Sequence, residues 1–343
     1  MLSKRFGNNG KTISHLNKLQ EYTRNKIKDK IKKGIYSFEN FSCCVCDNKN
    51  FEILSEKDRY GLFCPIVICR NCGLIQQNPR MIETDISRFY NIEYKKLYVG
   101  ENTPSKIYFE HQYKRGEKIF NYIKKELGIG LINLKILEVG CGAGGILKYF
   151  EEKNNKVFGI DLESEYIKFG KEKYNLDLKA GSLNERIIPW QPDIVIYSHV
   201  IEHILNPVEE LNKLRSLIDS SSYLYIEAPG VKSLEHSYGM DFLKSIQNAH
   251  IYYFTLKTLK NILQKTGYDF ICGDETIYSI FKPSLRTVKY FQNDYDEIIS
   301  YLKRMEWYRF LPTLYHVKIL LVNLLKILNL YNFYKRLNYK IKQ

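Results

Sequence analysis

Two Cys-x-x-Cys pairs, Cys43/Cys46 and Cys69/Cys72, have the residue type and spacing of a metal site. Each pair forms a knuckle that presents two thiolates to one ion, and two knuckles complete a tetrahedron. Four thiolates leave no position open for water, so the ion expected is a structural Zn2+. Gly73 follows Cys72 and eases the tight knuckle backbone; Asp47 holds the same place after Cys46. Cys44 in place of Cys43 would give the less usual C-x-C spacing, and free or redox-active cysteines are the competing reading. Cys64, Cys141 and Cys272 show no pairing pattern.

A second group is rich in glycine. Leu137-Glu138-Val139-Gly140-Cys141-Gly142-Ala143-Gly144-Gly145 follows an apolar run and opens a helical pattern. Its glycines permit tight turning and let backbone N–H groups approach a ligand closely. Asp161 ends the next apolar run, where a carboxylate can accept both hydroxyls of a ribose. Gly140-x-Gly142-x-x-Gly145 also satisfies the dinucleotide fingerprint, so the glycines alone leave a dehydrogenase open. Two features shift the balance. Glu138 would repel a pyrophosphate but suits a cationic methionyl group bearing an ammonium and a sulfonium. Asp193-Ile-Val-Ile-Tyr-Ser-His-Val-Ile-Glu-His203 also follows at the right distance.

These residues need a frame to hold them. Short apolar runs at 135–139, 156–160, 176–179, 193–197 and 223–227 read as strands, with two more near 269–272 and 277–281. Helical patterns lie between them, from Gly145 to about Lys153 and over 163–174, 208–218 and 256–266. Such alternation predicts a parallel sheet with helices on both faces, with the ligand at the carboxyl ends of the strands. Upstream, 1–40 reads as a basic helical or disordered arm, 41–80 as the cysteine module and 81–130 as a helical linker. The main domain spans 131–285, and 286–343 is a basic helical extension.

"LEVGCGAG", "GID" and "DIVIYSHVIEHILNP" resemble the first, second and fourth motifs of class I S-adenosylmethionine-dependent methyltransferases. The resemblance implies an α/β, Rossmann-like seven-stranded sheet with one reversed edge strand, over roughly 133–282. It implies that Glu138, Gly140, Gly142 and Gly144 line the methionyl pocket, that Asp161 holds the ribose and that Leu162 packs by the adenine. Many relatives carry an acid after the third strand to hold the adenine amine. Gly181-Ser182-Leu183 stands there instead, so Ser182 takes that role, with Leu183 beside it. Ser198, within the fourth motif, joins the cofactor residues. The segment Ile68–Arg80 resembles the zinc-binding module of certain sugar methyltransferases of nucleotide-sugar, antibiotic-sugar and cell-surface polysaccharide pathways. Tyr90-x-x-x-Tyr94-x-x-Leu97-Tyr98 is similar to their linker, which extends the resemblance to roughly 43–282.

Methyl transfer from a sulfonium is an in-line displacement. The protein aligns donor and acceptor, and a base takes the acceptor's proton. In the sugar C-methyltransferases of this resemblance, a Glu-His pair beside an aromatic occupies the place of Ala249-His250, and the histidine is the base. Ala249 in place of the glutamate favours O-methylation with His250 as lone base. A structural histidine that caps the loop before the helix at Leu256 is the plainer reading. His199 lies near the expected methyl position and is the second catalytic candidate; His203 is expected to orient the loop around the cofactor. Tyr94, Tyr252 and Tyr253 are candidates to stack on a sugar or nucleotide ring, although any one of 28 tyrosines more often packs.

The net charge of +14 sits at the ends: 1–42 carry +7, 301–343 carry +8 and the middle is near neutral. A neutral body argues against a nucleic-acid groove across the core, and basic ends suit an anionic surface. Residues 317–331 read as an amphipathic helix, too short and polar to cross a bilayer but able to lie on one through 317–343 or to pack on the domain. The first thirty residues lack an apolar run, which predicts a cytoplasmic protein, peripheral on the inner membrane face if those basic ends meet lipid. The expected acceptor is a sugar, nucleotide-sugar or glycan. The alternatives are an RNA-modifying methyltransferase and a non-catalytic assembly protein that binds zinc and S-adenosylmethionine.

Overall fold

The computed structural model describes residues 1–98, 100, 104–183, 188–284, 291–309 and 324. The N-terminal arm is ordered. Phe6 is fully buried, and helix α1 (Lys18–Lys32) starts from a capping box in which Asn17 and Gln20 satisfy each other's backbone N–H. Strands β1 (Phe38–Glu39), β2 (Phe51–Lys57), β3 (Phe63–Cys69), β4 (Ile75–Gln77) and β5 (Arg80–Met81) carry the cysteine segment. The linker read as helical there holds α2 (Glu83–Phe89), a π-turn over Tyr90–Tyr94, α3 (Lys95–Tyr98) and α4 (Lys106–Leu127). Helix α4 begins at Ser105, whose hydroxyl accepts from Tyr108 N–H, and ends at Gly128 in the left-handed region. Such caps satisfy terminal groups that the helix itself leaves unpaired.

The alternating region then runs β6 (Lys135–Val139), α5 (Gly145–Glu151), β7 (Lys156–Asp161), α6 (Ser164–Tyr174), β8 (Leu178–Ala180), β9 (Ile194–Ser198), α7 (Pro207–Leu217) and β10 (Tyr223–Glu227). It continues through α8 (Leu234–Ser237), α9 (Phe242–Ser245), β11 (Tyr252–Tyr253), α10 (Leu256–Lys265), β12 (Tyr268–Gly273), β13 (Tyr278–Pro283) and α11 (Tyr295–Tyr308). Seven strands form one sheet in the order β12-β13-β10-β9-β6-β7-β8. The expected seven strands and single reversed strand are present, but the reversed strand is not at the edge. β13 runs antiparallel to both β10 and β12 and lies between them. The crossover through α10 carries the chain one strand position past β10, and the tight turn after β12 folds β13 back into the gap. One apolar layer lies on each face. Leu137, Val139, Val195 and Tyr197 point to the side of α7 and α10, and Ile136, Ile194 and Ile196 to the side of α4, α5 and α6. This is the period-two alternation of a sheet covered on both faces.

The cysteine segment does not form a module closed on itself. Its sheet runs β11-β4-β3-β2, and β11 comes from the connection between β10 and α10. The boundary read between 41–80 and 131–285 is therefore crossed by a strand. Val231, Leu234, Phe242, Leu243, Ile246 and Tyr253 share a core with Phe6, Leu54, Ile66, Ile298 and Leu302. The guanidinium of Arg5 bonds both Asp241 and Glu306, which ties the N-terminal arm to the β10–α10 connection and to α11. Within 286–343, α11 supplies a helix as far as Tyr308; the amphipathic stretch 317–331 lies outside the described residues except at 324.

Helix α6 packs so closely on the glycine loop that a Cβ on Gly170 would stand 2.4 Å from the Ala143 carbonyl oxygen. Gly170→Ala is expected to cost about 1–3 kcal/mol by forcing the two apart. Urea unfolding checks this, and an unchanged midpoint would contradict the close approach.

Candidate active site

The glycine loop turns at the carboxyl end of β6, where Gly140, Gly142 and Gly144 all take positive φ. A side chain at Gly140 would strike Val200, and one at Gly142 would meet the Tyr108 hydroxyl at 2.7 Å. The loop is pinned to the end of β7. The N–H groups of Gly140 and Cys141 donate to the Ile160 carbonyl, and Gly142 N–H donates to Asp161 Oδ2 at 2.8 Å. Asp161 Oδ1 accepts from Glu163 N–H at 2.8 Å, so the carboxylate bridges the loop to the start of α6. Leu162 next to it is 73% exposed, an uncovered apolar side chain beside the Asp161 carboxylate. Ser182 is half-buried and Leu183 buried at the end of the short β8.

Glu138 lies beneath this loop, 1% exposed, with Oε2 lacking any hydrogen-bond partner. Burial, and then the neighbouring Asp161, push its carboxyl well above the usual range. A buried carboxylate without a partner is costly unless a cation meets it. The donor set thus fits a methionyl group: an orphaned acid for its ammonium, glycine backbone for close approach, and an acid one strand away for its ribose.

The ends of β9 and β10 hold a second set. His199 sits at φ 57°, an uncommon conformation outside glycine, and its N–H donates to the Glu227 carbonyl. The imidazole stands between two carboxylates, with Nδ1 3.4 Å from Glu202 Oε1 and Nε2 3.3 Å from Glu227 Oε1. Burial opposes its charge, but Glu202 and Glu227 outweigh it and raise the histidine to about 9. Ser198, expected at the cofactor, donates to Glu227 Oε2 at 2.9 Å. His250 is 4% exposed, edge-on to His203 with ring centroids 4.7 Å apart, and bonds the Gln247 amide through Nε2. Burial, and then His203, push His250 well below the ordinary histidine value. His203 Nδ1 lies 2.8 Å from the Ala249 carbonyl and 2.6 Å from the Tyr90 hydroxyl. The three histidines therefore come together at one rim.

Glu202, Glu227 and Tyr90 complete this rim and were not singled out from the sequence. The signals were present: Glu202 lies inside His199-x-x-Glu-His, and Glu227 closes a strand as Asp161 does. Tyr252 and Tyr253, candidates for stacking on a ring, are instead buried in β11; the Tyr252 hydroxyl donates to the Leu205 carbonyl. Tyr94 packs tilted against Tyr90 and Tyr98 and edge-on to His203. Beside Glu227 opens a cavity of about 410 Å³ lined by Lys114, Arg115 and Lys118 of α4 together with Tyr122 and Tyr278.

The four cysteines converge as their spacing predicts. Cys43 and Cys72 sulfurs are 3.4 Å apart, Cys46 and Cys69 3.5 Å, and all four lie within 4.8 Å of one another. Asp47 and Gly73 occupy the same left-handed position after each knuckle, each donating to the carbonyl of the knuckle's first cysteine. Cys44 is not in the cluster. Lys265 of α10 bonds the Cys44 and Val45 carbonyls and docks the first knuckle on the main domain.

Because the folded Glu138 carboxyl holds its proton to a higher pH than the unfolded chain's, the unfolded state binds fewer protons between the two values. Its contribution therefore lowers stability as pH rises from about 4.3 through the folded value. Glu138→Gln is expected to lose that decline and to gain about 1–3 kcal/mol at neutral pH. Urea unfolding from about pH 4 to pH 7 reads it; a variant whose stability runs parallel to the parent's would show that the carboxylate is already compensated.

Residues 109–272 match the family model described as a methyltransferase domain. "Putative methyltransferase 235L" of Invertebrate iridescent virus 6 is 33% identical over 99 residues, 28% of this chain and 37% of the viral protein, so the match spans little more than a third of that relative. A SAM-dependent methyltransferase of Archaeoglobus fulgidus aligns in structure at 25% identity and a TM-score of 0.40, over 52% of this chain and 75% of that one. An S-adenosylmethionine-dependent methyltransferase of Clostridium acetobutylicum aligns at 11% identity and a TM-score of 0.41, over 58% and 98%. The glycine loop, the two strand-end acids and six of the seven sheet strands, one of them short of its last residue, all lie within residues 109–272, the part of the chain that matches a methyltransferase domain.

Proposed function

We propose that this protein transfers the methyl group of S-adenosylmethionine to a hydroxyl of a sugar, sugar-nucleotide or glycan. The observation that carries the donor half is Glu138, a buried carboxylate with an unpartnered oxygen under a glycine loop that Asp161 pins from the adjacent strand. Bound there, the cosubstrate supplies a methyl carbon on a sulfonium, ready for in-line attack. The chain's own residues do the rest. Glu138 meets the ammonium, Asp161 keeps lone pairs for the ribose hydroxyls, and exposed Leu162 covers the adenine face.

The acceptor half rests on the rim. The cavity beside Glu227 combines lysine and arginine with tyrosine, which suits an acceptor carrying phosphate and a ring. His250 lies two residues before β11, the strand that the main sheet's β10–α10 connection adds to the cysteine sheet, so the cysteine segment positions the acceptor side of the site. In this reading the acceptor oxygen forms a bond to the methyl carbon, the carbon–sulfur bond breaks to a neutral thioether, and the acceptor's proton passes to the cluster that contains His250. Ala249 beside it, where a C-methylating pair would have an acid, supports oxygen as the attacking atom.

The same reading places Zn2+ on Cys43, Cys46, Cys69 and Cys72. Two Zn–S bonds of about 2.3 Å at a tetrahedral angle set sulfurs about 3.8 Å apart, and the observed 3.4 and 3.5 Å contacts are close to that without any disulfide. With all positions taken by sulfur, the ion holds the fold and meets no substrate. Purified protein is expected to carry one tightly held zinc, and its removal by chelator under denaturant should abolish refolding. Full refolding of the metal-free chain would contradict the structural role.

The functional test is calorimetric titration with S-adenosylmethionine and S-adenosylhomocysteine. Micromolar binding is expected, weakened at least about tenfold in Asp161→Ala through loss of two charge-assisted hydrogen bonds. Turnover should then appear with nucleotide-sugars and fall in His250→Gln with donor affinity kept. Folded protein that binds neither ligand would end the proposal.

A further inference from the structure

The turn between β2 and β3 reaches across to the segment that ends in His250. Arg59 N–H donates to the Ile246 carbonyl at 3.1 Å, and one arm of its guanidinium donates to the Lys244 carbonyl at 3.2 Å. The other arm donates to Gln247 Oε1 at 3.2 Å. The guanidinium lies over the rings of Tyr60 and Tyr98, 5.0 and 5.2 Å from their centroids, which holds it in place. Asp58 next to it accepts from the Tyr98 hydroxyl at 3.2 Å, and that hydroxyl accepts from Asn248 N–H at 2.8 Å. The His250 loop is thus seated on the cysteine sheet by a polar network as well as by the β4–β11 pairing.

That network decides where the His250 proton sits. A guanidinium has donors and no acceptor, so the Gln247 oxygen is the atom that must face Arg59. The amide nitrogen then faces His250 Nε2, to which it is bonded. An amide NH2 only donates, so Nε2 is the bare nitrogen and Nδ1 carries the ring proton. Arg59 cannot reverse this order by losing its charge. Burial, and then His203, push the ring well below the ordinary histidine value, so it is neutral. Nδ1–H has no acceptor among the described residues and is the donor left for a ligand. The ring faces the rim already described, where Glu202 and His203 each bring a polar atom within 4.8 Å of an imidazole nitrogen.

We infer that Arg59, acting through Gln247, is a positioning residue of the acceptor site: it fixes His250 as the Nδ1–H tautomer, so that the ring donates to the acceptor oxygen and does not take its proton. The amide would have to turn over before Nε2 could accept a proton, and turning it would present an NH2 group to the guanidinium. The proton of an acceptor hydroxyl is therefore left to a carboxylate of the rim, and Glu227 lines the cavity. The O–H bond breaks to that carboxylate as the oxygen–methyl bond forms and the carbon–sulfur bond breaks. Arg59 lies between the two cysteine knuckles in the chain, so the segment folded around the four sulfurs supplies it. The role at the acceptor rests on the methyl-transfer reading; the tautomer and its lock do not.

The experiment takes the full-length, zinc-loaded chain with 15N-labelled histidine and records long-range proton–nitrogen correlations. His250 is identified among the seven histidines by its loss in His250→Gln. Its Nδ1 is expected to be the protonated nitrogen and Nε2 the bare one, with no change of charge from about pH 5 to pH 8. Gln247→Glu keeps the shape but offers the ring only oxygen acceptors, and should move the proton to Nε2. Arg59→Met frees the amide to turn and should do the same in part, while Arg59→Lys should keep the parent pattern. In Gln247→Glu, kcat for methyl transfer should fall about a hundredfold, a coupling of rate to tautomer that a merely structural glutamine would not show. Zinc content and thermal midpoint report folding of the variants, and the parent spectrum needs no variant. Binding of S-adenosylhomocysteine by the same proteins reports the donor site, so failure of this inference and failure of the methyltransferase reading are read separately. A parent ring protonated on Nε2, a tautomer unmoved by Gln247→Glu, or an inverted ring with undiminished kcat would each overturn the inference.

Discussion

The carboxylate of Asp161 joins the end of β7 to the glycine loop and to the first turn of α6 through one oxygen each. The other features of the donor site depend on that clamp. It fixes the loop where Gly142 can lie under the Tyr108 hydroxyl and where Gly170 of α6 can approach the Ala143 carbonyl. It also sets a negative charge near Glu138, which helps to keep that buried acid protonated until a cation arrives. A hydrogen-bonded acid with lone pairs to spare can hold its own loop and a ligand's ribose together.

The rim as a whole buries more carboxyl groups than its own cations meet. Glu138, Glu202 and Glu227 are all nearly inaccessible at adjacent strand ends. Glu227 is met by His199 and Ser198, with Arg115 4.0 Å away. Glu138 and Glu202 retain bare oxygens. A folded protein keeps such groups only where surrounding structure enforces them, and sites of binding and chemistry are where that is found.

The cysteine segment takes part in the site through the backbone. Its sheet accepts β11 from the middle of the methyltransferase region, and Lys265 reaches back to the first knuckle. His250 is therefore positioned by strand pairing to a segment some 170 residues earlier, and the four-cysteine cluster secures the far end of that segment. Distortion of the knuckles would be felt at the acceptor rim through β4 and β11.

Local pattern was enough to determine much of this protein. Short β-branched runs named all seven strands to within two residues. Glycines after an apolar run marked a loop that needs positive φ, and Cys-x-x-Cys spacing marked two knuckles, each a local structure, whose four sulfurs the β2–β3 pairing brings to one point. Other features were settled only by the tertiary structure, because they depend on residues far apart in the chain. The reversed strand lies inside the sheet because β12 and β13 fold back beside β10. The hydroxyl of Ser198, expected at the cofactor by its position, donates to Glu227, 29 residues away. Tyr252 and Tyr253 had the composition of a stacking platform, and strand pairing turned them into core. In the sequence His250 came first as a base and His199 second, with His203 expected to orient the loop. The carboxylates that distinguish them come from the 3-10 turn after β9 and from the end of β10, which only the folded sheet places side by side.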